Sequence, residues 1–445
     1  AEAVAAAAHR ETRGPGLRAP PAGVDGADPL TEMGITGVLV DLDGTVYTPS
    51  GLIPGADDFY AHLRRRKIPY CFVSNTGAKF HRHVQKKLAN ANGSFYFRHV
   101  EVESEKIMTA AEVQIDWMLA NLPDNAKVFV VAGEEPGLLL PKIDARLRKN
   151  TLPWWRESLE ARGAAKVAKW DVKTSLTESE AAAWSAVASA SKRDCVFVAF
   201  FSDGRISDSV DPSTGELGYS DWSFDVIKKT SYLLAHGATL IATAEDAYNP
   251  AAYDPRFPGH CLTLPGPGMF TAMFKKLMYP LGRDKLVVCG KGGRSGLMMK
   301  AAMRRLVQQG HDGDASKVLM IGDRFDTDVA AGVYAGTRTC LVESGAHHRS
   351  LQPFYDRFPA DYACATVGDL VPAAGRTPAD YASKKRYLLA DAAAPPKLTR
   401  ERAARRCSGT KLTTQKQRWF ASFFGPDEAN TSQSSEEDDD DDDDD

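Results

Sequence analysis

Four short apolar runs in this chain each stop on a polar residue, and their recurrence limits the fold more than any other feature. VLV (38–40) runs into Asp41, CFV (71–73) into Ser74 and Asn75, LVVC (286–289) through Gly290 into Lys291, and VLMI (318–321) through Gly322 into Asp323. Runs of this length without polar alternation suit strands covered on both faces, as in a parallel sheet. A carboxylate closing such a run is costly without a partner, because desolvation disfavours its charged form. Asp41, and Asp43 two residues on, must therefore cap the following turn or share a cation. Ligands of an open parallel sheet bind at the carboxyl ends of its strands, where the strand order reverses. If the four strands are neighbours, one crevice collects carboxylates, a hydroxyl and an ammonium, a set that suits a divalent cation and a phosphate.

The rest of the chain supports an α/β reading. Strands are expected over 34–41 and 70–73, and helices over 57–67 and through Val84 and Leu88. The stretch 116–284 has strands of its own (127–132, 196–201, 238–243) alternating with helical patterns. The expected fold is a Rossmann-like, doubly wound parallel-sheet core, formed by 34–115 and 285–372, with an inserted α/β cap over 116–284 that carries extra segments. By composition, 1–33 and 373–445 are expected to be disordered, the latter basic and then poly-Asp. Trp154, Trp155, Trp170 and Trp184 within the cap are read as packing residues.

Composition narrows the function. Lys and Arg number 55 against 58 Asp and Glu, but the last ten residues are all acidic, so the body is basic by about seven charges. Part of that excess lies in 384–406, which argues against a nucleic-acid-binding core. No apolar run suits a bilayer span. The seven cysteines form no C-x-x-C and are read as small buried hydrophobes of a reducing compartment, with a cytoplasmic location expected. Residues 1–33 contain no serine and several acids, which argues against an organellar leader. The pairs His81/His83 and His347/His348 lack the neighbours of a zinc site and are read as surface residues. The acidic end is read as solvated. Contact with a basic partner, or with the chain's own basic segment through Trp419, Phe420, Phe423 and Phe424, is the functional alternative.

The strand-end residues carry a specific chemistry. Magnesium takes one or two carboxylates, several waters and a substrate phosphate, and Asp41 and Asp323 can supply the carboxylates. Lys291 can neutralise a transferring phosphoryl group. A carboxylate can itself attack phosphorus to give an aspartyl-phosphate, and Asp43 could protonate the leaving oxygen and later activate water. Gly44 and Thr45 would let the chain turn sharply between them.

DLDGT (41–45), SNT (74–76), GK (290–291) and GDRFDTD (322–328), in this order and separation, resemble the haloacid dehalogenase superfamily. The likeness is specifically to its magnesium-dependent phosphatases with a large α/β cap between the second and third motifs, among them phosphoglycolate, pyridoxal phosphate and 4-nitrophenyl phosphate phosphatases. The resemblance implies Mg²⁺-dependent hydrolysis of a small phosphomonoester metabolite through an aspartyl-phosphate. It implies that Asp41 is nucleophile and metal ligand, and that Asp43 is the general acid/base whose main-chain carbonyl also faces the metal. Ser74 and Asn75 would hold the phosphoryl group, Lys291 would neutralise it, Asp323 would ligate the metal, and Asp328 would orient Lys291 from behind. Pairing through the caps as a homodimer is implied as well. Two segments depart from the family pattern: the usual T-N-x-D reads Thr243-Ala244-Glu245-Asp246, and Gly292 replaces the usual proline after the lysine. The alternatives are a protein phosphatase of the same fold, which a large cap would hinder, and a silent binding or scaffold protein, which would have no chemical need for Asp43.

Overall fold

The structure, a computed structural model, describes residues 28–48, 51–77, 81, 84, 85, 88, 102–132, 154–191, 193–201, 224–250, 263–278 and 285–372, with backbone alone at 154–157, 248–250 and 263–265. The expectations for 1–27, for the tail from 373, for His83 and for the side chains of Trp154 and Trp155 lie outside these residues.

In chain order the strands are β1 (Gly37–Val40), β2 (Tyr47–Thr48), β3 (Gly51–Leu52), β4 (Tyr70–Ser74), β5 (Ile107–Thr109), β6 (Lys127–Val131), β7 (Asp171–Lys173), β8 (Val196–Phe200), β9 (Thr239–Ala242), β10 (Tyr248–Pro250), β11 (Thr263–Pro265), β12 (Leu286–Val288), β13 (Val318–Gly322), β14 (Arg338–Val342) and β15 (Tyr362–Cys364). The first sheet has the order β15-β14-β13-β1-β4-β5, and every pairing in it is parallel. From β1 the chain winds outward through β4 and β5, then returns on the other side as β13, β14 and β15. The order therefore reverses between β1 and β13, which opens the crevice at their carboxyl ends.

Both faces of this sheet are apolar, which is why its strands show no polar alternation. Val38, Val40, Tyr70, Phe72, Leu319 and Ile321 pack on one face, and Leu39, Cys71, Val73, Val318 and Met320 on the other. Val38, Leu39 and Val40 are fully buried, and burial of each contributes about 1.5–3 kcal/mol. The second sheet, β12-β9-β8-β6-β7, is also all parallel. One apolar cluster runs from Leu39 and Met108 of the first sheet to Val128, Phe197 and Ile241 of the second.

Three expectations need correction. The run 286–289, expected beside β1, forms β12 and pairs with β9 at the edge of the second sheet. Its apolar side chains complete that sheet, and only the loop after it returns to the crevice. Residues 28–33, expected in a disordered extension, are folded: Asp28 caps the helix Pro29–Glu32, Leu30 is fully buried, and Asp28 faces His62 at 3.3 Å. His347, expected at the surface, is buried and stacks on Phe325. Trp170 and Trp184 are core residues, and Cys71, Cys289, Cys340 and Cys364 are buried free thiols. Among the described residues no helix is long and apolar enough to cross a membrane.

Candidate active site

Asp41 follows β1, and its main-chain N–H donates to the Ile321 carbonyl of β13 at 2.9 Å, so the pairing of β1 with β13 sets where the side chain starts. The chain then reverses at Gly44, whose φ of 82° favours glycine. A Cβ there, or at Gly345, would collide with the Asp323 carboxylate. Glycine at both positions lets two loops close on that group. Asp43 stays exposed between them, and the Tyr47 hydroxyl donates to its Oδ2 at 3.2 Å.

Asp323, at the end of β13, is buried. Its Oδ2 accepts from the Ala346 N–H at 2.6 Å, and its carbonyl accepts from the His347 N–H at 3.0 Å. His347 Nδ1 in turn accepts from the Phe325 N–H at 3.0 Å, so the buried imidazole ties the β14 loop to the turn after β13. Burial lowers the pKa of His347, with Arg324 adding to the effect and Asp326 opposing it. A single π-turn, Phe325–Val329, carries Asp326 and Asp328. Such turns are rare and frequent at functional sites. Asp328 is buried, and its Oδ2 accepts from the Arg324 N–H at 3.1 Å.

Lys291 reaches this cluster from the second sheet. Its ammonium donates to Asp41 Oδ1 and, at 2.6 Å, to Asp328 Oδ1. Burial alone would lower the lysine pKa, but the Asp328 and Asp41 carboxylates outweigh it and raise the value. One ammonium does not balance three carboxylates. Burial, then repulsion from Asp328 and Asp323, holds the Asp41 carboxyl well above its ordinary range against the pull of Lys291. Burial and Asp328 push Asp323 up to about 7.

That surplus of negative charge fits a cation. Asp41, Asp323 and Asp328 each offer an oxygen, all within 4.8 Å of one another, and Asp323 Oδ1 is buried with no hydrogen-bond partner. Hard, charged oxygens of this kind suit Mg²⁺. Asp328, expected to orient Lys291 from behind, also accepts from the Lys291 ammonium at 2.6 Å.

Ser74 closes β4 and is buried, and its Oγ accepts from the Thr76 N–H at 3.3 Å. Asn75, expected to help hold the phosphoryl group, has both ends of its amide on protein groups. Its Oδ1 accepts from the Lys291 N–H at 2.6 Å, and its Nδ2 donates to Asp246 Oδ2 at 2.7 Å. Asp246 was visible in the sequence only as part of the departing Thr243–Asp246 segment, and nothing local marks it as a partner of Asn75. Ala244, in the same segment, is fully buried, and its carbonyl accepts from the Thr271 hydroxyl at 3.3 Å, so it does not line the crevice. The roles of His347 and Ala346 had no sequence signal at all, since they arise where two distant loops meet.

A family model described as haloacid dehalogenase-like hydrolase matches residues 38–142, and a second, HAD-hydrolase-like, matches 288–370. The two matches contain the four strand ends, and most of the second sheet lies between them. The chain is 24% identical over 313 residues to a 5'-nucleotidase of Bacillus subtilis, covering 70% of this chain and 89% of the relative. It is 23% identical over 307 residues to an acid sugar phosphatase of Staphylococcus aureus, covering 69% of this chain and 86% of the relative. A solved p-nitrophenyl phosphatase from Archaeoglobus fulgidus superposes with a TM-score of 0.49 at 22% identity, over 76% of this chain and 98% of that one.

Proposed function

From the premise that the chain belongs to the haloacid dehalogenase-like hydrolases, as a phosphatase of that family, we propose that it hydrolyses a small phosphomonoester with the help of Mg²⁺ through an aspartyl-phosphate. The observation that carries this reading is the meeting of Asp41, Asp323, Asp328 and Lys291 in one buried cluster with an orphaned Asp323 oxygen.

Magnesium held by Asp41, Asp323 and the Asp43 carbonyl, with Asp328 beside them, would supply positive charge against the phosphoryl oxygens. Lys291 holds the Asp41 carboxylate in place and shields it from the incoming phosphate's charge. An Asp41 oxygen attacks phosphorus and the ester P–O bond breaks. Asp43, exposed beside it, gives its proton to the leaving oxygen, and the Ser74 hydroxyl donates to the transferring group. In the second half Asp43 takes a proton from water, which attacks the aspartyl-phosphate and releases phosphate and free Asp41.

The relatives act, by their names, on nucleotides, sugar phosphates and 4-nitrophenyl phosphate. The test is phosphate release by the purified chain from nucleoside monophosphates, sugar phosphates, phosphoglycolate, pyridoxal 5'-phosphate and 4-nitrophenyl phosphate, with Mg²⁺ and with EDTA. Turnover of at least one ester that EDTA abolishes is expected. No turnover of any ester, or turnover indifferent to EDTA, overturns the reading.

A further inference from the structure

Asp246 belongs to the second sheet, four residues beyond the end of β9, yet its carboxylate meets residues of the first sheet. Its Oδ2 accepts from Asn75 Nδ2 at 2.7 Å, and its Oδ1 lies 3.9 Å from Arg324 Nε. Arg324 itself is gripped by Asp326, at 3.0 Å through Nε and 2.6 Å through a terminal nitrogen. Asn75 is thus the group that Asp246 holds most closely.

An asparagine amide can turn over, exchanging its donor and acceptor ends. A carboxylate accepts only, and a main-chain N–H donates only. With Asp246 on one side and the Lys291 N–H on the other, a single orientation satisfies both: NH₂ toward Asp246, oxygen toward Lys291. That orientation is the one found, with Lys291 N–H donating to Asn75 Oδ1 at 2.6 Å. The approach is close. A Cβ at Gly290 would lie 2.6 Å from the same Oδ1 and would also strike the Thr243 carbonyl. The side chain whose main chain is held here is the ammonium that joins Asp41 to Asp328.

We propose that Asp246 is a positioning residue: through Asn75 it fixes the main chain of Lys291, and so places the ammonium on the nucleophile. The inference rests on the proposed activity for its kinetic consequence, but its structural consequence can be read without turnover.

The experiment compares the full chain with Asp246→Ala and Asp246→Asn. Hydrogen exchange of the peptide spanning 289–292 is measured alongside steady-state hydrolysis of 4-nitrophenyl phosphate. Asp246→Ala should speed exchange at the Lys291 amide and lower kcat by about 10–100-fold, with KM changed less than about threefold, as expected when support behind a reacting group is lost. Asp246→Asn keeps an oxygen that can accept from Asn75, so it should restore the slow exchange and most of the lost rate. Wild-type exchange at Lys291 in the alanine variant overturns the inference. So does faster exchange spread equally through β1 and β13, which would mark Asp246 as a general stabiliser. Failure of the wild type to hydrolyse any ester overturns the proposed activity instead, and the exchange result then decides this inference alone.

Discussion

Two buried carboxylate clusters in this molecule respond to burial in opposite ways. At the strand ends, the Lys291 ammonium joins Asp41 and Asp328 with Asp323 beside them, and the carboxyls of Asp41 and Asp323 are raised. At the start of the helix Ala110–Asn121, Glu112 is one carboxylate held by Arg162, His81 and Thr109. Its Oε1 contacts His81 and, at 3.1 Å, Arg162, while its Oε2 accepts from the Thr109 N–H and hydroxyl at 3.3 and 3.2 Å. Burial would raise its pKa, but His81, Arg162 and Arg305 together outweigh burial and lower it. Glu112 is also the third helical residue of a Thr109-x-x-Glu112 capping box, so one side chain closes a helix end and an ion cluster. Charge is balanced where the fold needs strength. It is left in surplus at the strand ends, where the proposed function calls for a cation and a phosphate.

The largest effect that could break this contrast is on turnover. Asp41→Asn should reduce kcat by on the order of 10⁴-fold or more, as removal of a nucleophile does. Its melting temperature should stay level or rise, because one of several repelling charges is gone. A melting temperature that falls instead would show that the strand-end cluster is stabilising and erase the difference between the two sites.

Glu112→Gln should do the reverse. It should leave kcat within a few-fold but cost about 1–3 kcal/mol at neutral pH, because Arg162 and His81 lose a charged acceptor. A depressed carboxyl pKa gives stability that is present above the ordinary value of 4.5 and lost as pH falls through the folded-state value. The variant should therefore lose less stability than wild type on acidification below about 4.5. Urea unfolding at several pH values measures both effects, and equal acid sensitivity of the two proteins would contradict this account of Glu112.

The smallest expected effect is a slope. Asp323 binds its proton more tightly folded, at about 7, than at its ordinary value of 3.8. Its contribution is therefore fully present below the ordinary value and is lost as pH rises toward 7. In EDTA the wild type should become less stable across that window. Mg²⁺ should remove the decline, and Asp323→Asn should flatten it without metal. A wild-type curve in EDTA that rises with pH from 4 to about 7 in the same measurement would mean that other groups outweigh Asp323.

Much of the architecture was legible because it is written locally. Apolar runs without alternation mark strands covered on both faces, and Asp41, Ser74, Lys291 and Asp323 stand at the end of such runs in the order the chain presents them. Chemistry followed from residue type, since oxygen donors beside an ammonium suit a metal and a phosphate. What the sequence could not reveal is which distant segments become neighbours. LVV at 286–288 reads as the same kind of strand as VLV at 38–40, and only its packing against β9 assigns it to the second sheet. His347 looks like half of a surface pair until the β14 loop folds over Phe325. The amide of Asn75 looks free until Asp246 arrives from another sheet to set its orientation. Strand propensity and metal-binding chemistry depend on each residue and its near neighbours, whereas sheet partnership and hydrogen-bond orientation are decided by contacts between segments distant in the chain, so only the tertiary structure could settle them.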